Sequence, residues 1–191
     1  MKVYFTASLR GVQFFGQYYK RIYDQIVEMG YASLDQDIFK LKCSKFYSDQ
    51  ELKGHKAHTE FYLKKIQRIQ VADVCIFETS LNSLSVGYQV MKALQYHKPT
   101  ILLYLKDNVP YFIEGIEHEK LIVRSYTDTT LQKVLSECLE LSHKKREQRF
   151  NFFINTELLN YLEGASKKSG LTKSVYIRNL IAADRIKKTS R

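Results

Sequence analysis

Small residues gather at two points of this sequence in a pattern suited to holding an anion. Over residues 72–89, A-D-V-C-I-F-E-T-S-L-N-S-L-S-V-G-Y-Q, an apolar run breaks into a polar turn and resumes at helical spacing through Val86, Val90, Ala93 and Leu94. Ser83, Ser85 and Gly87 stand where that helix opens. Small side chains there leave first-turn amides uncovered, and those amides together with the positive end of the helix dipole attract a phosphate. An ordinary strand-to-helix connection capped by serine accounts for the same residues, so this stretch alone leaves both readings open. The second point is the start of the chain, where K-V-Y-F-T-A-S-L-R-G closes a short apolar run with Ser8, Leu9, Arg10 and Gly11.

The elements that must position these turns are strands. The run 74–77 is too short for a helix and shows no alternation, which predicts a strand buried on both faces of a parallel sheet. If both apolar runs are central strands, their C-terminal ends lie side by side, in the crevice where open α/β sheets bind ligands. Residues 12–30 carry a broad helical apolar face that stops at Gly30, residues 31–34 suit a weak second strand, and a loop placed to cover the crevice is expected up to about Ser48. A long helix over 49–70 follows, with Phe61, Leu63, Ile66 and Ile69 as its buried stripe and its Lys and Arg residues on a wet face. Strand, helix and strand come next at 73–78, 84–97 and 99–105, then a fifth strand at 120–123 and a closing helix at 129–141. This order predicts a doubly wound α/β domain, a flavodoxin-like or Rossmann-like parallel five-stranded sheet with helices on both faces.

V-Y-F-T-A-S-L-R-G, then A-D-V and S-L-S-V-G-Y before a helix, resembles the nucleoside 2-deoxyribosyltransferase family over roughly residues 2–125, and is most similar in pattern to the 2′-deoxynucleoside 5′-phosphate N-hydrolases. The resemblance implies a tyrosine near the reacting sugar and base at Tyr4, a first phosphate-facing loop at Ser8, Leu9, Arg10 and Gly11, and a second at Ser83, Ser85 and Gly87. Ser85 stands where the relatives usually have Gly. The family's nucleophilic Glu directly follows the G-Y pair, a position held here by Gln89; its second carboxylate falls, by ungapped counting back from Asp73, on Lys65. In retaining glycoside cleavage a carboxylate attacks the anomeric carbon and stabilises an oxocarbenium-like transition state. An amide does neither well. Gln89 can still hydrogen-bond a ribose hydroxyl and Lys65 can pair with a phosphate, so the pocket is expected to outlive the reaction. Glu60 and Glu78 are the nearby acids that would substitute, although helical spacing turns Glu60 away from Lys65.

The three cysteines, Cys43, Cys75 and Cys138, show no C-x-x-C spacing, which points to a reducing compartment. With no signal-like start and no apolar run long enough for a bilayer, a cytoplasmic protein without membrane attachment is expected. The five histidines are scattered without acidic or cysteine partners in register, so no metal and no other cofactor is expected.

The formal charge of +10 is unevenly placed: residues 144–191 hold 12 Lys and Arg against 4 Asp and Glu, a net +8. Such a field favours polyanions, unless it serves solubility alone. R-F-N-F-F-I-N, then a helix capped near Asn155 or Thr156 and ending at Gly170, then one capped at Thr172, resembles the ribbon-helix-helix DNA-binding family over residues 148–188. The resemblance implies a homodimer, or a higher even oligomer, built on paired strands. Alternation puts Phe150, Phe152 and Ile154 on one face and Arg149, Asn151 and Phe153 on the other. In that family the second face reads base edges of duplex DNA, where Arg suits guanine and Asn adenine, and amides near Thr172, Lys173 and Ser174 clamp a phosphate. Phe153 departs from the pattern; it suits a thymine methyl or a module that only dimerises.

The expected organisation is an α/β domain over residues 1–142, a linker at 143–149 and a ribbon-helix-helix module over 148–191. The expected function is a ligand-responsive DNA-binding regulator whose first domain binds a nucleotide without cleaving it. The alternatives are an active N-glycosidase or deoxyribosyltransferase with relocated acids and a merely dimerising tail, and a non-enzymatic protein-interaction or toxin–antitoxin-type component.

Overall fold

Five strands pair in parallel in the order β2-β1-β3-β4-β5: β1 is Lys2–Ala7, β2 Ala32–Ser33, β3 Val74–Glu78, β4 Thr100–Leu105 and β5 Leu121–Tyr126. The computed structural model describes residues 1–144 and 152–189. It divides into two compact units, Met1–Glu147 and Gln148–Arg191. The sheet belongs to the first unit, a flavodoxin-like α/β fold, and its strand order reverses between β1 and β3. Tyr4 is the register partner of Cys75, and Ala7 of Glu78. The two strand ends that carry the small-residue turns are therefore neighbours, at the switch point where such sheets bind ligands.

Alternation along the strands sorts their side chains between two cores. On one face Val3, Phe5, Ile76, Ile101 and Leu103 pack against Tyr19, Ile22 and Ile26 of α1 (Val12–Glu28) and Leu131, Leu135 and Leu139 of α6 (Leu131–Lys144). On the other, Tyr4, Cys75, Phe77 and Leu102 meet Ile66 and Ile69 of α3 (Cys43–Val71) and Val86, Val90 and Ala93 of α4 (Leu84–Gln95). Two short helices, α2 (Asp37–Lys40) and α5 (Tyr111–Glu114), follow β2 and β4. Gly30, at φ 78°, turns the chain out of α1 with no side-chain penalty.

Three expectations need correction. The segment up to Ser48 is not a loop: it holds α2 and the start of α3, and the long helix begins at Cys43 and breaks at Gly54, whose φ of 70° and ψ of −174° interrupt the helical path. Leu63 is 56% exposed, because Ile66 and Ile69 alone carry the buried stripe of that helix into the core. Lys65 is buried instead of lying on a wet face, since it shares the core-facing side of α3 with Ile66 and Ile69 and meets carboxylates there.

The second unit contains α7 (Thr156–Lys168) and α8 (Lys173–Thr189). The Asn155 side chain caps α7 by accepting from the Leu158 amide at 2.9 Å, and Thr172 Oγ1 accepts from the Val175 amide at 3.3 Å to open α8. Residues 152–154 form no strand in the single chain, and Phe153 is fully exposed. Arg149, Phe150 and Asn151 lie outside the described residues, as does the linker beyond Lys144.

Candidate functional site

A small cleft of about 90 Å³ opens at the C-terminal end of β1, on the α3/α4 side of the sheet. Its walls include Ser8 and Leu9 after β1, Ser83, Ser85 and Gln89 of the α4 turn, and Lys65 and Phe61 of α3. Asp37, Leu41, Phe46 and Tyr47 close the side below β2. Ser83 has extended backbone angles and its side chain makes no capping bond, so no serine hydroxyl occupies the first amides of α4. The bond that a capping serine ordinarily supplies is therefore absent, and the first-turn amides stand without it.

Tyr4 is fully buried and does not itself line the cleft; it reaches the lining through Gln89. Its hydroxyl donates to Gln89 Oε1 at 2.5 Å, and the Gln89 amide nitrogen donates in turn to the Ser85 carbonyl at 3.1 Å. Burial, with the nearby Asp35 carboxylate adding to it, pushes the Tyr4 hydroxyl well above its ordinary range. It is a neutral donor at any physiological pH, and the Gln89 amide is held in one orientation by two bonds.

Lys65, also in the cleft lining, is held by three groups. Its ammonium contacts the Asp35 carboxylate, lies 3.0 Å from Asp37 Oδ2, and sits 5.3 Å from the centre of the Phe61 ring. Arg68 reaches the same two carboxylates, at 2.8 Å to Asp35 and 2.7 Å to Asp37. Asp35 is 1% exposed and also accepts from the Asp37 amide at 2.8 Å. Two cations and two carboxylates thus neutralise one another under the cleft, as buried charges require. Burial pushes the Asp37 carboxyl up, but the Lys65 charge and hydrogen bonds from Arg68 and Lys65 outweigh it and hold the group below its usual value. The Lys65 charge is committed to these carboxylates, contrary to the expectation that it stands free to pair with a phosphate.

Other expected site residues fall elsewhere. Glu78 projects from the opposite face of β3, fully buried, where it accepts from the Tyr126 hydroxyl at 2.9 Å and from Ser80. It cannot substitute for an acid in the cleft, because strand alternation points it to the α1/α6 side. Burial lifts its carboxyl to about 7, against the opposing bonds from Ser80 and Tyr126. Glu60 is exposed on α3, outside the cleft lining. Gly87 lies inside α4 with its amide already bonded to the Ser83 carbonyl at 2.9 Å, and the Gly11 amide is bonded to the Ser8 carbonyl at 2.9 Å. Neither amide is free for an anion. Gly11 is needed for a different reason: a Cβ there would stand 2.2 Å from the Tyr19 hydroxyl. Arg10 is exposed and stacks over Tyr47, 5.0 Å from its ring centre, at the edge of the cleft.

Sequence reasoning missed Asp35, Asp37 and Arg68. The signal was present, because D-Q-D begins one residue beyond β2, the neighbour of β1, and so falls at the same end of the sheet. Among the described residues no group of three His, Cys, Asp or Glu is placed to hold a metal ion, and no helix is long and apolar enough to cross a membrane. In the second unit, the Lys173 ammonium pairs with Glu163 at 2.6 Å, so its charge is engaged within the unit. Thr172 and Ser174 are exposed at the start of α8.

No family model matches the chain. It is 30% identical over 141 residues to a protein of Thermofilum pendens, covering 70% of this chain and 92% of that one. A protein of Nematostella vectensis is 27% identical over 140 residues, covering 70% and 90%, and one of Methanosarcina mazei is 26% identical over 130 residues, covering 66% and 75%. All three bear the provisional name 2′-deoxynucleoside 5′-phosphate N-hydrolase 1. A CMP N-glycosidase of Clostridium botulinum, BcmB, overlays with a TM-score of 0.48 at 18% identity, over 72% of this chain and 97% of that one. By its identity to the Thermofilum protein over nearly all of that protein's length, this chain belongs to the 2′-deoxynucleoside 5′-phosphate N-hydrolase family.

Proposed function

We propose that the cleft takes a nucleoside 5′-phosphate and holds it with its glycosidic bond intact. The observation that carries this reading is the Tyr4–Gln89 pair: at the position of the family nucleophile an amide receives the tyrosine's hydrogen bond. An amide oxygen carries no charge to set against an oxocarbenium-like transition state and forms no stable glycosyl intermediate. The ligand class follows from family membership and from the uncapped α4 amides, which suit a phosphate. Arg10 beside the mouth supplies a positive charge. The test is thermal unfolding with a deoxynucleoside 5′-monophosphate. A ligand of the native state raises the melting temperature by mass action, so a rise is expected in the wild type and a smaller one in Arg10→Ala and Ser83→Ala. An equal rise in all three proteins places the ligand elsewhere.

One observation favours a second reading, cleavage by a relocated acid. Asp37 is a carboxylate in the cleft lining, and the relatives' names are those of hydrolases. Against it, Asp37 is bound by Lys65 and Arg68, which withdraws the charge a nucleophile would use. Base release that depends on Asp37 would establish this reading.

For the second unit, self-association is supported by the large apolar side chains that one chain leaves exposed, among them Phe153, Tyr161, Leu180 and Ile181. Sequence-specific DNA binding rests on Arg149 and Asn151 and on the resemblance alone.

A further inference from the structure

The cleft has a second opening. A groove of about 490 Å³ shares Asp37, Leu41, Phe46 and Phe61 with the cleft and continues away from it between α2, the first part of α3 and Lys64. Five lysines border it: Lys40, Lys42, Lys45, Lys53 and Lys64. All five are exposed, and none forms an ion pair among the described residues. Lys20, Lys133 and Lys188, by contrast, each have a carboxylate four residues away within ion-pair distance. The groove's own carboxylates do not balance the five. Asp37 is already neutralised by Lys65 and Arg68, which leaves Asp49. A concave surface with this excess of uncompensated positive charge, bordered by two aromatic rings, fits an anionic chain.

The position of the groove narrows the ligand. It borders none of the residues of the two small-residue turns, Ser8, Ser83 or Ser85. A 5′-polyphosphate tail would extend from those turns; Lys42 also borders Leu9 and Arg10 of the first turn, but Lys40, Lys45, Lys53 and Lys64 border no turn residue. Further negative charge must therefore be attached to the ligand on the side away from its 5′-phosphate. A chain of phosphodiesters running on from the 3′ position meets that condition.

We propose that this groove binds the backbone of a single-stranded nucleic acid whose 5′-phosphorylated terminal nucleotide occupies the cleft. The proposal rests on the reading of the cleft as a nucleotide site. The first nucleotide is held by the turns and Gln89, and the lysines neutralise the phosphates that follow. Phe46 and Phe61 wall the passage between the two.

The test is fluorescence anisotropy on the full chain, using a 3′-labelled, 5′-phosphorylated single-stranded oligodeoxynucleotide of about eight nucleotides, within the usual span of such sites. Competitors are the matching deoxynucleoside 5′-monophosphate and 5′-triphosphate. At near-physiological salt the oligonucleotide is expected to bind about tenfold or more tighter than the monophosphate, with a log–log salt slope of magnitude about 2–3, as three or four contacts to a single strand give. Excess monophosphate should displace it. The triple variant K40A/K45A/K53A should lose the gain while its affinity for the monophosphate stays unchanged. A gain retained in the triple variant, or an oligonucleotide that the monophosphate fails to displace, puts the strand on another surface and overturns the proposal. A triphosphate that matches the oligonucleotide overturns the 3′ direction. Monophosphate binding with no gain for the oligonucleotide refutes the groove alone, whereas absence of monophosphate binding refutes the reading of the cleft and the groove with it.

Discussion

The Tyr4 hydroxyl donates to the Gln89 side-chain oxygen at 2.5 Å, across 85 positions of sequence. Burial keeps the phenol protonated, and the bond from Gln89 to the Ser85 carbonyl fixes which end of the amide faces it. Substituting a carboxylate at this place changes one atom in shape and one charge. Gln89→Glu is expected to release base from a deoxynucleoside 5′-monophosphate at about tenfold or more above the wild-type background, since an aligned carboxylate supplies the nucleophile that the amide lacks. Chromatography of the reaction mixture checks it. Equal rates in the two proteins would mean that the amide is not what blocks the chemistry.

The Asp35–Lys65 pair is buried on both sides and shares its partners with Asp37 and Arg68. Lys65→Ala should destabilise the first unit by about 3–5 kcal/mol, because it leaves two carboxylates, Asp35 and Asp37, to share the single charge of Arg68. The double change Asp35→Asn with Lys65→Met removes one charge of each sign and keeps an acceptor for the Asp37 amide, so most of that loss should return. Urea unfolding of the three proteins measures the coupling. The Asp37 carboxyl is depressed in the fold, so its contribution is present above the ordinary carboxylate range and is lost as pH falls through its folded value, below about pH 4.

Glu78 has the opposite sign. Its carboxyl is lifted by burial to about 7, so the native state keeps a proton that the unfolded chain has already lost. Stability from this group is complete below its unfolded value near 4.5 and declines as pH rises to about 7. At about 1.4 kcal/mol per unit the decline is on the order of 3 kcal/mol. Glu78→Gln should flatten that slope and leave the variant more stable than the wild type at pH 8. Urea midpoints at pH 5 and pH 8 decide it; parallel shifts in both proteins would show that Glu78 does not titrate in this window.

The strands and the crevice were legible because their signals are local. Val74, Cys75, Ile76 and Phe77 form an uninterrupted apolar run, and the Ser83 turn follows at once, so the strand end and its neighbour can be read without knowing any contact. The Asp35–Lys65 cluster was not legible in the same way. Lys65 falls on a helix with several exposed lysines, and only the packing of Ile66 and Ile69 decides that its side faces inward. The split of Glu78 from the cleft was readable from alternation with Phe77, but proximity in sequence to the turn obscured it. Gly54 concealed the true extent of α3, since one left-handed residue lets two helical segments run on where a loop was expected.

The most direct measurement is a proton NMR spectrum of a deoxynucleoside 5′-monophosphate with the purified full chain, followed over hours. It reports occupancy and cleavage in one sample. The ligand's resonances are expected to broaden or shift in the wild type, less so in Arg10→Ala, while the anomeric proton signal keeps its intensity and no free base appears. Loss of that signal with growth of free base, abolished by Asp37→Asn, would contradict it and make this chain a hydrolase with a relocated acid.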